Sequence, residues 1–180
     1  MKTAREGRAA VRASALLLLL PLLMPMTGHG ADASSAMPLS SFPREPVAVE
    51  TRSARRHVFE AWRAETPGQR EQGLMFVKSM GDDQAMIFVY DPVQYVAMWM
   101  KNTLLPLDML FVDDHGCVVT VKEHAKPGSL ATIESKAPVA LVVELNGGTV
   151  ASRGIRVGDR VVRPAANWPG RTDALCTVSR

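Results

Sequence analysis

Between residues 57 and 162 the apolar residues gather into short runs of strand length, and turn signals separate each run from the next. Met86-Ile87-Phe88-Val89-Tyr90 and residues 95–100, 107–112, 117–122 and 140–145 are runs of this kind. No stretch carries the spacing of a long amphipathic helix. Asp113-Asp114-His115-Gly116 is the strongest hairpin signal, because glycine supplies positive φ between two apolar runs. Thr66-Pro67-Gly68-Gln69 has the signature of a helix start. Thr66 can cap, Pro67 suits the first helical position, Gln69 completes a capping box, and Gly73 lies where so short a helix would end. Asn146-Gly147-Gly148 turns into a second brief helical piece ending at Gly154, and Gly158-Asp159 turns into a last strand at 160–162. The pattern predicts an all-β domain with minor α content, a compact sandwich or barrel with one or two short helices.

The flanks read differently. Lys2, Arg5, Arg8 and Arg12 precede an almost wholly apolar stretch from Ala13 to Met26, and small residues follow at Gly28, Gly30, Ala31 and Ala33. That order is the order of a secretory signal, so residues 1–33 are expected to be a leader cleaved near Gly30 to Ala33. Pro21 and Pro25 interrupt the apolar part, which is short for a membrane span. The expected location is therefore the periplasm or the medium, with the membrane met only through the leader. Residues 34–56 carry Pro38, Pro43 and Pro46 and read as a linker, with at most a short strand at Val47-Ala48-Val49. The β domain is expected over 57–163 and a polar tail over 164–180.

Charge argues against nucleic acid. The chain has 21 Lys and Arg against 18 Asp and Glu, but loss of the leader removes four basic and two acidic residues and leaves 17 against 16. The cluster Arg52, Arg55, Arg56 and His57 reads as a solvated approach to the first strand. Two cysteines, Cys117 and Cys176, permit one disulfide in an oxidising compartment, and spacing alone leaves the bridge open.

The candidate site is Trp99-Met100-Lys101-Asn102-Thr103-Leu104-Leu105-Pro106-Leu107-Asp108, which sets an indole, an ammonium, an amide, a hydroxyl and a carboxylate between apolar runs. In an extended segment Trp99, Lys101 and Thr103 share one side, which would offer an aromatic plate beside a cation to a planar or anionic ligand. Alternatively, Lys101 lies over Trp99 while Asn102 and Thr103 bond the turning chain. Asp108, entering an apolar strand, needs a partner or a proton, and Lys101 is the nearest candidate in sequence. Glu144 sits similarly inside 141–145, either at an edge or in the same patch.

Arg70-Glu71-Gln72-Gly73-Leu74-Met75-Phe76, Ala85-Met86-Ile87-Phe88, the Trp99 to Asp108 block, Val143-Glu144-Leu145-Asn146-Gly147-Gly148 and Gly158-Asp159 occur in this order, and together they resemble the DUF192 family. The resemblance implies a β-sandwich of jelly-roll type, often exported, of unassigned role, whose shared polar residues line one patch. Three positions depart from it: Val77 where an Arg often stands, Ala85 for a usual Gly, and Trp62 in a strand that often carries Glu.

Three functions remain. The first is an exported binding or accessory module, expected to be monomeric, holding a small molecule or envelope component through Trp99, Lys101, Asn102, Thr103, Asp108, Glu144 and Met75. The second is a hydrolase or transferase with Asp108 or Glu144 as acid–base and Lys101 stabilising negative charge. The third is a soft-metal protein using Met75, Met80, Met86, Met98, Met100 and Met109 for copper(I). No nucleophile-elbow, phosphate-loop or zinc-protease motif is present, and no organic cofactor is expected.

Overall fold

In the computed structural model, residues 36–164 and Cys176 are described; the leader expected at 1–33 and nearly all of the expected tail lie outside these residues. The strands in chain order are β1 (Arg44–Glu50), β2 (Arg56–Ala64), β3 (Gln84–Gln94), β4 (Ala97–Met98), β5 (Leu107–Val112), β6 (Val118–Ala125), β7 (Ile133–Glu134), β8 (Val139–Asn146) and β9 (Arg160–Val162). Helix α1 (Pro67–Gln72) follows β2, and α2 (Thr149–Arg153) follows β8. The domain is all-β with minor α content, as the run lengths predict.

Seven strands form one sheet in the order β6-β5-β8-β3-β2-β1-β9. Neighbours are antiparallel except β2 and β3, which are parallel and joined by the crossover that contains α1. The sheet curls until its edges meet at one end. The Val118 N–H donates to the Asp159 carbonyl at 2.9 Å, the Gly158 N–H to Val118 at 2.8 Å, and the Val161 N–H to Gly116 at 2.8 Å. Cys117, beside this seam, is disulfide-bonded to Cys176 with a Cα–Cα distance of 5.3 Å.

Alternation within the strands builds two cores. Val47, Phe59, Ile87, Leu110, Leu141, Val143 and Val161 fill the inside of the curl, to which every strand of the sheet contributes. Met86, Phe88, Met109, Phe111 and Val142 point the opposite way, under a covering layer that includes Phe42, Leu74, Val96, Met98 and Met100. Strands buried on both faces have no polar alternation, which is why 86–90 and 109–112 are continuously apolar.

Two expectations need correcting. The supposed linker 34–56 contains β1, a seven-residue strand paired with both β2 and β9. Its Glu45 is buried, donates nothing, and accepts hydrogen bonds from Arg63 at 2.9 Å and from Arg163. Pro46 fits because β9 reaches only residues 48–50, so at residue 46 the strand pairs on one side only and proline's missing N–H is tolerated. Residues 95–100 give only the two-residue β4, paired with β7 in a small separate sheet. Leu74 to Val77, although apolar, forms a turn, with Met75 bridging Thr103 and Phe76 at φ 64°.

The helix start is as the sequence predicts. Thr66 accepts from the Gln69 N–H at 3.3 Å, and the Gln69 side chain accepts from the Thr66 N–H at 3.1 Å. Gly73 ends α1 at φ 48°, and a Cβ there would come within 2.9 Å of the Phe88 ring. Glycine is thus required twice over, by its backbone angle and by the close approach of α1 to β3. That approach sets the floor and one wall of the site.

Candidate functional site

Between α1, the 97–103 segment and the outward face of β3 and β8 lies a cavity of about 210 Å³. Glu144 is at its floor. On β8 it shares the outward face with Val142, and in the sheet it stands between Met86 of β3 and Met109 of β5. Both methionines are fully buried and offer no strong hydrogen-bond donor. Among the described residues Glu144 Oε2 has no hydrogen-bond partner. Burial without compensation pushes its pKa up to about 8, so at neutral pH the group is a carboxylic acid that carries a proton.

The walls are made by residues that hold one another. Tyr90 follows Phe88 by two positions on the same face of β3, and its hydroxyl lies 3.6 Å from the Met98 sulfur. Burial first, opposed by Arg70 and reinforced by Glu144, raises the Tyr90 pKa to about 12. The guanidinium of Arg70, from α1, lies 5.3 Å from the Tyr90 ring centroid and donates to the carbonyls of Val89 (3.1 Å) and Glu65. Met75 and Thr103 close the opposite side, joined by their bridge. Trp99 stands at the rim with 44% of its surface exposed.

The residues expected from the sequence divide accordingly. Trp99, Thr103, Met75 and Glu144 line the cavity. Lys101 does not; its ammonium sits 5.4 Å from the Trp99 ring centroid, the snorkelling arrangement. Asn102 supports the site from behind, at φ 55°, accepting from the Phe76 N–H at 2.9 Å and directing its amide to the Met75 sulfur at 3.9 Å. The Thr103 hydroxyl donates to the Lys101 carbonyl at 3.3 Å.

Asp108 belongs elsewhere. Its neighbour across the β5–β8 ladder is Leu145, while that of Glu144 is Met109, so the two carboxyl groups project from opposite faces of the sheet. The oxygens of Asp108 accept from the backbone N–H groups of His124, Gly148 and Val150, each at 2.9 Å. No ion pair joins it to Lys101. A carboxylate satisfied by three amides is a structural pin between β5, β6 and the start of α2, and the acid–base pairing of Asp108 with Glu144 has no geometric basis. Among the described residues no three His, Cys, Asp or Glu side chains converge as a metal-ligand set.

The comparisons with known proteins agree with this architecture. The DUF192 family model, described as "Uncharacterized ACR", matches residues 48–163. The chain belongs to the DUF192 family. Among solved structures, a Sinorhizobium meliloti 1021 protein described as a candidate transcription regulator is 46% identical, with a TM-score of 0.67 over 68% of this chain and 95% of that one. A protein of unknown function from Novosphingobium aromaticivorans DSM 12444 is 36% identical, with a TM-score of 0.67 over 70% of this chain and 89% of that one. No curated protein matches.

Arg70, Phe88 and Tyr90 are among the cavity residues that reasoning from the sequence did not single out for the site, and Met98 entered only as a candidate copper ligand. Parity could have found Tyr90, which must share a face with Met86 and Phe88 if 86–90 is one strand. Arg70 stood in a block of the family pattern, but only the tertiary approach of α1 to β3 turns it towards the cavity.

Two outcomes follow for this DUF192 domain. Asp108→Asn should cost about 2 kcal/mol by leaving a backbone donor unsatisfied, and combination with Lys101→Ala should be additive within about 0.5 kcal/mol in urea denaturation. Coupling well above that would restore an Asp108–Lys101 interaction. For Glu144, the folded protein keeps its proton to about pH 8 while the unfolded chain releases it near 4.5. The contribution of Glu144 to stability is then greatest below 4.5 and falls by about 1.4 kcal/mol per pH unit until about 8. Glu144→Gln should match the native protein at pH 4.5 and exceed it by about 3 kcal/mol at pH 7. An equal pH slope in both proteins would contradict the neutral buried acid.

Proposed function

We propose that this domain is a binding module that holds a small ligand in the cavity over Glu144. The observation that carries the reading is the buried acid with an unpartnered oxygen, in a structure where the comparably buried Asp108 is fully satisfied. An orphan polar group costs free energy in the empty protein, and a ligand that supplies its partner recovers that cost. Neutral Glu144 can donate its proton to a carbonyl, carboxylate or hydroxyl oxygen, and the Arg70 cation in the wall favours such acceptors over a ligand ammonium. Met75, Met98 and Phe88 would take the apolar part of the ligand, and Trp99 a planar part at the mouth. A cavity of about 210 Å³ limits the ligand to a ring or a short chain. The leader's basic, apolar and small-residue order supports export, and the form proposed is a monomer that holds a small molecule or an envelope component.

The hydrolase or transferase reading loses its second carboxylate, because the β5–β8 register separates Asp108 from Glu144. The copper reading would rely on the Met75 and Met98 sulfurs at the cavity wall; each already faces a hydrogen-bond donor, from Asn102 and Tyr90.

A direct test is a titration with butyramide, benzoate and butylamine, followed through the Trp99 indole resonance in NMR spectra. The amide and the acid should bind and the amine should not, Glu144→Leu should weaken binding at least tenfold, and affinity should fall as pH passes through about 8. Equal binding of all three probes by the native protein and Glu144→Leu would refute the reading. A native mass spectrum showing copper(I), lost in Met75→Leu, would favour the thioether alternative instead.

A further inference from the structure

The opposite feature of the molecule is a basic concavity formed by the β1–β2 turn and the α2–β9 connection. Its volume is about 540 Å³, and its lining includes Thr51, Arg52, Ser53, Arg55, Arg156 and Asp159. We propose that this concavity is a phosphate-binding site, taking the phosphate of a small phosphoester or of a lipid headgroup through Arg52, Arg55 and Arg156. The proposal is independent of the cavity over Glu144, which lies on a different part of the surface and shares none of these residues.

The first support is the distribution of charge. Nearby acids are already engaged: Glu50 pairs with Arg56, and Asp83 pairs with Arg153 at 2.6 Å. Asp159, the acid in the lining, is buried, and its two oxygens accept from the backbone N–H groups of Arg52 (2.9 Å) and Arg156 (2.7 Å). The guanidinium groups of Arg52, Arg55 and Arg156 have no carboxylate within ion-pair distance among the described residues. Three such cations around one hollow repel each other, and a multivalent oxyanion relieves that repulsion while matching the planar fork of each guanidinium.

The second support is that the arginines stand on a fixed frame. Asp159 clamps the residue-52 turn to the residue-156 turn through its two amide bonds. Thr51 closes the first turn, its N–H donating to the Arg55 carbonyl at 2.8 Å and its hydroxyl oxygen accepting from the Arg55 N–H at 3.1 Å. The His57 ring meets the Arg153 carbonyl at 3.1 Å and ties β2 to the end of α2. The Arg55 side chain lies across Gly154, where a Cβ would fall 2.3 Å from Nη2, and its Nε donates to the Ser53 hydroxyl at 3.4 Å. Glycine at 154 therefore leaves room for the guanidinium as well as supplying the φ of 66° that ends α2. With the backbone frame fixed and Arg55 held by Ser53, ordering on arrival of an anion is confined mainly to the Arg52 and Arg156 side chains.

The sequence shows only half of this. Arg52 and Arg55 are visible as a charge cluster, but Arg156 joins them only because β9 pairs with β1.

The experiment is a titration with inorganic phosphate, read from backbone amide shifts, together with co-sedimentation on phosphatidylglycerol and phosphatidylcholine vesicles at physiological salt. Phosphate should produce saturable shifts centred on residues 51–55 and 154–159. The triple variant Arg52→Gln, Arg55→Gln, Arg156→Gln should bind at least tenfold more weakly, while Arg44→Gln, which removes a guanidinium paired with Glu60, should bind as the native protein does. Phosphate binding without sedimentation assigns a free phosphoester. Sedimentation with phosphatidylglycerol but not phosphatidylcholine, lost in the triple variant, assigns a lipid headgroup. Absence of saturable binding to either probe, or equal weakening by Arg44→Gln, overturns the site. Native-like circular dichroism of the triple variant establishes that loss of binding is not loss of fold.

Discussion

Burial of both faces of the central strands is the constraint from which the rest follows. β3, β5 and β8 send one set of side chains into the curled sheet and the other set outward, and the outward set is as apolar as the inward one. A sheet face carrying Met86, Phe88, Met109, Phe111 and Val142 cannot remain in water without losing roughly 2 kcal/mol for each large side chain left exposed. The chain therefore supplies a lid from segments with little regular structure of their own: the 37–42 stretch, α1 and its following turn, and the small β4–β7 sheet. Lids assembled from loops do not fill space as completely as a second sheet would, and the gap that remains is the cavity over Glu144.

Two buried carboxyl groups on adjacent strands show how local surroundings set chemistry. Asp108 faces the inner core, yet three amides from the ends of β6 and α2 converge on it, so the acid locks strand ends together. Glu144, one ladder step away on the other face, meets thioethers on both sides and keeps an oxygen without a partner. The first geometry is a structural solution. The second leaves a demand that the protein alone does not satisfy, and in a cavity that demand points outward to a ligand.

Much of the fold was legible. Run lengths gave most of the strands, the Asp113 to Gly116 turn gave the β5–β6 hairpin, and Thr66 with Gln69 gave the first helix. β1 was understated because three prolines suggested a linker, whereas pairing with β2 and β9 overrides that local signal. The 95–100 run was overstated because its apolar side chains belong to a lid, where burial does not require a ladder. Within the site, proximity in sequence misled: Lys101 and Asp108 are seven residues apart, but Pro106 and the turn before it send them to different places. Glu144 was readable as anomalous from its apolar flanks, although the face it occupies depends on register. Arg70 and Tyr90 required the close approach of α1 to β3 that Gly73 permits, a contact between segments that pattern alone does not reveal.

The protonation of Glu144 is the point at which fold and function meet. Infrared difference spectra of native protein and Glu144→Gln report it directly, through the carbonyl stretch of an un-ionised carboxylic acid. The band should be present in the native protein at pH 6.5, disappear as pH rises through about 8, and be missing from the variant at every pH. Its disappearance near pH 4.5 would mean a solvated or paired carboxylate, and the cavity would then hold no unmet demand for a ligand.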